Sequence, residues 1–272
     1  MKKLLSILFL FVFSLLNAQE RKVYEYQRLR FGVEAGFENI FGSNVKPDAI
    51  RESQSYYRYG SYHDYYYDCG FLYNEQVFMR YYFGVKSEYS LNHRFAVAAG
   101  LRFGFGGNSL TSDRDNFLWR VSNTETSSNY LRIKNITQNV YNIGIPLEFK
   151  IFTSKSDVIV RHYFKIGTVF NFALAQDVSV DFADKEMNKY LSEIKNQFER
   201  PNNFNGQFVL GMGLKIGRMS NPFGSIEMQV PVQYGNNTRL NSLFKTENQA
   251  GIGIQANIII PAGKQKLNYT YR

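Results

Sequence analysis

The sequence predicts an all-β fold, an eight-stranded antiparallel up-and-down transmembrane β-barrel with long extracellular loops. Three observations carry this expectation. Eight segments alternate between apolar and polar residues, each roughly 9–13 residues long, about what a tilted strand needs to cross a bilayer. The links between them are short and long in strict alternation, as in barrels with tight periplasmic turns and extended outer loops. Aromatic residues make up 17% of the chain, yet beyond its first residues no apolar run could form a membrane helix. That combination suits a chain in which only every second strand residue meets lipid.

The chain opens MKKLLSILFLFVFSLLNAQ. Lys2 and Lys3 precede an apolar run from Leu4 to Leu16 and a small-residue exit at Asn17-Ala18, the pattern of a secretory signal peptide over residues 1–18. Its removal takes Lys2 and Lys3 away and lowers the formal net charge from +9 to +7. Residues 19–28 are expected as a periplasmic N-terminal segment, 29–261 as the outer-membrane barrel and 262–272 as a basic periplasmic tail. Cys69 is the one cysteine, so no internal disulfide can form. In an exported chain the basic balance points to a lumen, turns and tail rather than to nucleic acid.

Each strand has a greasy and an ionic side. In the first, Phe31, Val33, Ala35 and Phe37 oppose Arg30, Glu34 and Glu38; in the second, Met79, Tyr81, Phe83 and Val85 oppose Arg80, Lys86 and Glu88. The third sets Phe95, Val97, Ala99, Leu101 and Phe103 against Arg94, Gly100 and Arg102. The fourth sets Tyr141, Ile143, Ile145 and Leu147 against Asn142, Glu148 and Lys150. The fifth pairs Phe164, Ile166, Phe170 and Phe172 with Lys165 and Asn171; the sixth pairs Leu210, Met212 and Leu214 with Gln207 and Lys215. Ile226, Met228 and Val230 oppose Glu227 and Gln229 in the seventh, and Ile252, Ile254 and Ile258 oppose Gln255 and Asn257 in the last. The apolar faces are expected toward lipid and the charged, glycine-rich faces toward a lumen filled by its own side chains. Pro146 and Pro231 count against this reading, because proline removes a ladder bond and prefers edges or bulges; both fall on the lumenal faces, where a local bulge could be hydrated.

Gly32–Phe37 (GVEAGF), Tyr141–Lys150 (YNIGIPLEFK) and Phe164–Phe172 (FKIGTVFNF) resemble the PorT-like outer-membrane β-barrel family of Bacteroidetes. The family segment Y-x-x-I-P-L-x-x-K is matched at Tyr141, Ile145, Pro146, Leu147 and Lys150, with one extra residue after the tyrosine. The resemblance spans the barrel and implies its fold. The founding member serves a protein-secretion machinery, so the resemblance also implies an accessory role in such a complex.

The candidate site is a lumenal charge network of Arg30, Glu34, Glu88, Arg94, Arg102, Glu148, Lys150, Lys165, Lys215 and Glu227. The short turns are expected to set Lys215 opposite Glu227, Glu148 opposite Lys165 and Glu88 diagonal to Arg94. The excess of cations leaves an anion-selective pore as the alternative to a filled lumen. No cofactor or metal is expected, because His63, Asp64, Asp68 and Cys69 match no closed zinc spacing. Catalysis is disfavoured as well: His93 and His162 fall at the periplasmic end, and His63 lies in an irregular loop with nothing to fix a nucleophile beside it.

Ser55–Tyr73 holds eight tyrosines in the first long loop. Of these, Tyr56, Tyr57, Tyr59 and Tyr62 are expected as a contact surface, since tyrosine offers rigid apolar area with a polar tip. In the second long loop, Phe117–Val121 and Tyr130–Lys134 suggest a hairpin continuing the third and fourth strands. The third carries Met187, Tyr190, Leu191, Ile194 and Phe198 at helical spacing, with Asp184 as N-cap and Pro201 as stop. The expected function is a non-enzymatic outer-membrane protein, structural or binding a protein or glycan through these loops. Its other expected partner is outer-membrane lipid.

Overall fold

The computed structural model describes residues 28–260 apart from 46, 48, 51–71, 75–76, 113–116, 122–129, 156–157, 219–220, 235 and 248–249. The segments expected as signal peptide and basic tail, and the tyrosines at 56, 57, 59 and 62, lie outside the described residues. Eight strands form the wall: β1 (Leu29–Phe41), β2 (Val77–Ser90), β3 (Phe95–Ser112), β4 (Tyr130–Phe152), β5 (Val160–Phe182), β6 (Phe204–Arg218), β7 (Asn221–Gln233) and β8 (Gly251–Ile260). Each pairs antiparallel with its neighbours in sequence, and β1 pairs with β8 to close the ring. Closure leaves no free edge, which a membrane-spanning sheet requires.

The period-two pattern sets the inside and outside of this ring. Phe83, Val85, Leu101, Phe164, Met212, Ile226, Met228, Ile252 and Ile258 face outward and are exposed, whereas the charged partners beside them are buried inside. Phe95 departs from the pattern. It is buried, with its ring stacked on Phe149 at 5.7 Å.

Neither proline makes a bulge. Pro146 keeps register with Val169 on β5, but toward β3 the ladder has a gap between Ala99↔Leu147 and Arg102↔Gly144 with no shift of register. Pro231 does the same, with its β8 ladder broken between Gln229↔Gly253 and Val232↔Ala250. A proline removes one N–H donor, and a closed barrel loses a bond there more readily than it changes stagger. Register shifts occur elsewhere, between Ile133 and Asn135, between Pro222 and Gly224, and in β5, where Tyr141 pairs with Ala175 and Asn142 with Ala173, so Leu174 is the extra residue. It turns outward, and beyond it the odd-numbered residues of β5 take over the outer face.

β4 and β5 each run for 23 residues. At about 3.3 Å per residue that is roughly 75 Å, far beyond a hydrocarbon core of about 30 Å even with tilt. Their distal halves, with β3, stand above the long-loop end as a wall that carries a second apolar core. Phe117–Arg120 pairs with Tyr130–Ile133 as the hairpin arm the sequence suggests. The helical stripe of the third loop becomes a 3-10 turn at Lys185–Tyr190 and an α-turn at Leu191–Asn196. Asp184 occupies its N-cap position, but its side chain makes no capping bond. Ile194 inserts fully among Trp119, Leu131, Ile133, Val178, Phe182 and Leu243.

The fourth long loop, for which the sequence suggests no element, forms a hairpin of Asn236–Asn241 and Phe244–Glu247. It takes Ser43–Asn44 of the first loop as a third strand.

Candidate functional site

Alternation sends every second polar side chain into one narrow space. Glu88 is met from three directions by Arg30 at 3.5 Å, Lys150 at 3.3 Å and Lys215. Lys150 continues to Glu227 at 3.4 Å, and Lys165 joins Glu227 to Glu148, which it reaches at 3.5 Å. Glu148 accepts from Lys86 at 2.8 Å and Arg102 at 3.0 Å, and both cations also hold Glu34. The result is an unbroken chain of ion pairs from β1 round to β7, every member buried.

Nine of the ten residues expected in the network are brought together here. Arg94 is not. β3 begins only at Phe95, which leaves Arg94 half-buried in the turn, with its N–H donating to Asn92 Oδ1 at 2.7 Å and its carbonyl accepting from Phe152 N–H at 2.7 Å. Ala98 stands opposite Glu88 instead.

The expected direct pairs are also displaced. Lys215 faces Ser225, Glu227 faces Gly213, and Glu148 faces Gly167, because each turn closes a residue away from the assumed centre. Long lysine side chains still reach acids diagonally across the lumen.

A second set of contacts extends the network toward the long-loop end. Arg80 is bound to Glu38 and Gln207, and Gln229 donates to Glu38 at 2.9 Å. Gln229 also donates to the Tyr82 hydroxyl at 2.7 Å, which donates on to Gln255 at 2.9 Å. Gln255 then contacts Glu34 at 3.1 Å and accepts from Arg102 at 2.9 Å. The network reading leaves out Glu38, Arg80, Tyr82, Lys86, Gln207, Gln229 and Gln255. All share the inward parity of the residues it includes, and parity alone could have found them. Tyr82 fits only because Gly36 lies under its ring, where a Cβ would stand 2.3 Å from the phenol carbon.

Both ends of the lumen are covered. At the short-turn end, Phe152 packs on Tyr163 at 5.3 Å, the Arg161 guanidinium lies 4.2 Å above the Phe152 ring, and Arg161 donates to the His93 carbonyl. At the long-loop end, Leu240 and Phe244 of the hairpin pack on Ile40, Phe78 and Val140. Gln138 bonds Ser242, and Asn241 donates to Asn108 at 2.6 Å, which fixes the hairpin to the wall.

The loops lock together in turn. Arg120 N–H donates to the Ala49 carbonyl and Asn202 N–H to the Arg239 carbonyl, while the Trp119 indole donates to Gln197 at 2.9 Å. Among the described residues no group of three or more His, Cys, Asp or Glu is placed to hold a metal. His162 sits exposed on the outer face opposite Leu214, away from the lumen.

A closed antiparallel ring with an apolar outside and an ionic, filled inside defines a transmembrane β-barrel of the outer-membrane type. The family model of the outer membrane protein beta-barrel domain matches residues 17–244, and the chain belongs to that family. Among solved structures, the outer membrane protein OprG from Pseudomonas aeruginosa covers 89% of this chain and 100% of its own. It shares 8% sequence identity with this chain at a TM-score of 0.43, too remote to carry an argument. Comparison with curated proteins gives no match.

Proposed function

We propose that the protein is a non-conducting, non-enzymatic outer-membrane barrel that carries a rigid extracellular platform for a protein or glycan partner. In this reading residues 1–18 are removed on export, the short turns face the periplasm and the long-loop end faces outward. The observation that carries it is the platform's own apolar core. Twelve buried side chains, from Ile50 to Leu243, draw on all four long loops and the extended strands. Loops that only closed a barrel would need no such core of their own.

The test is planar-bilayer recording combined with crosslinking on intact cells. The reading expects no stable unitary current and a partner captured through platform residues. Steady anion-selective openings would replace it with the pore.

A second reading, an accessory of a secretion or envelope-assembly complex, draws on the PorT-like resemblance of Tyr141–Lys150. It expects copurification with such a complex after mild solubilisation.

A further inference from the structure

The ring closes only part of the way up β5. Its pairing with β6 ends at Phe172↔Phe204, whereas its pairing with β4 continues to Phe182. From Leu174 to Phe182, the side of β5 turned away from β4 carries no strand. The third loop ties to this side only below that stretch, where Ala173 N–H donates to the Asn203 carbonyl at 2.9 Å. Among the described residues no other backbone hydrogen bond covers it. Alternate residues of a strand turn N–H and C=O to the same side, so the stretch presents a row of unused donors and acceptors. A cleft of about 550 Å³ runs along it, with Ala173 to Val178 on one wall and Lys195, Phe198, Arg200 and Asn203 on the other. Consecutive residues line it, so it follows the edge of the strand rather than one of its faces.

A bare edge of this length is a template for a further strand. The side chains along it say what that strand carries. Val178 and Val180 turn inward to the platform core, while Asp177, Ser179 and Asp181 are exposed on the outer face. A newcomer therefore alternates apolar and polar residues to match. Asp181 has no ion pair among the described residues, and opposite charges across a strand pair stabilise it. β5 runs toward the long-loop end, so an antiparallel neighbour runs back toward the membrane and meets the closed end at Ala173 and Asn203. Two exposed cations stand on the facing wall: Arg200, and Lys195, whose 3.8 Å pair with Asp177 is open to water and weak. A chain that ends there brings them a carboxylate.

We propose that the open edge of β5 takes the C-terminal peptide of a partner protein as an added antiparallel strand. Its apolar side chains face Val178 and Val180, a basic side chain lies beside Asp181, and Lys195 and Arg200 hold its terminal carboxylate. The site deepens the platform reading and rests on its placing of the long-loop end outside the cell.

The probe is the free-acid hexapeptide lysine-valine-threonine-valine-threonine-valine with an N-terminal fluorophore, titrated into the full-length protein in detergent micelles. Hydrogen exchange read by mass spectrometry locates it. Saturable binding with slowed exchange at Leu174–Phe182 is expected. Methylating the alternate peptide nitrogens that face β5 should abolish binding, and methylating the other set should not, because an added strand bonds along one side. Amidating the C-terminus, or Lys195→Glu with Arg200→Glu, should weaken binding at least about tenfold, the scale of a charge-assisted hydrogen bond. Asp181→Asn should cost about threefold, as for an exposed pair. All three are exposed side chains, and retained gel mobility of the folded barrel verifies that the variants fold. Equal loss from both methylated peptides, or unchanged exchange at Leu174–Phe182, overturns strand addition. Undiminished binding of the amidated peptide overturns the carboxylate end. Protection of this stretch in a dimer of the protein alone puts a second copy on the edge and overturns the peptide. A partner captured on intact cells through other platform residues, with these amides unprotected, sinks this site and leaves the platform reading standing.

Discussion

Glu148 is the residue whose loss the interior can least absorb. Lys86, Arg102, Lys165 and Lys150 all lie within 3.9 Å of its carboxylate, and none of them has water to turn to. Removing one partner from a buried ionic group leaves uncompensated charge, which costs about 3–5 kcal/mol. Glu148→Ala should therefore lose that much in urea unfolding from lipid vesicles. Asp177→Ala, which breaks an exposed pair, should stay within about 1 kcal/mol. A Glu148→Ala loss no larger than the surface one would mean that water enters the lumen. At this scale the sequence was largely readable, because a side chain's parity decides whether it faces lipid or lumen. Parity fails for Arg94 because it holds only inside a strand, and nothing local marks Phe95 as the strand's first residue. The partner of each lysine was also hidden, since it lies across the lumen at a sequence separation of 62 for Lys86 and Glu148.

At the scale of elements, local patterns located what is held locally. The arm Phe117–Arg120 and the stripe through Ile194 both follow from spacing, and both dock where their apolar sides find cover. The hairpin of the fourth loop has no such signature. Asn236–Glu247 is polar along most of its length and is fixed by distant contacts, Asn241 to Asn108 and Leu243 N–H to Gln138 at 3.2 Å. The Leu174 bulge is equally silent, for an inserted residue shows only against its partner strand. Trp119 ties these elements, with Phe198 at 5.3 Å on one side and an indole bond to Gln197 on the other. Trp119→Ala should destabilise the platform by about 3–5 kcal/mol. Limited proteolysis should then cut the third loop while the barrel keeps its folded gel mobility. Joint loss of barrel and platform would show that the two cores fold as one.

Over the whole molecule, two closures stand in series. The hairpin bears Leu240 and Phe244 across the long-loop mouth, while Arg80, Glu38 and Gln207 span the lumen beneath it and the ion-pair chain fills the rest. A single plug over an open channel would make the hairpin a gate. Here its removal exposes a second barrier whose charges already satisfy one another and leave little room, as expected for eight strands. Replacing residues 236–247 by a short glycine-serine link should thus leave planar bilayers without stable current. Adding Glu38→Ala and Arg80→Ala to that deletion removes only the upper tier, and Glu34, Arg102, Lys86 and Glu148 still block the passage. Because these pairs are buried, salt should screen them weakly. Unfolding midpoints at 0.1 M and 1 M salt are then expected to differ little for the intact barrel. A conducting hairpin deletion, or a stability that falls steeply with salt, would instead require a hydrated lumen in which the network is a lining rather than a seal.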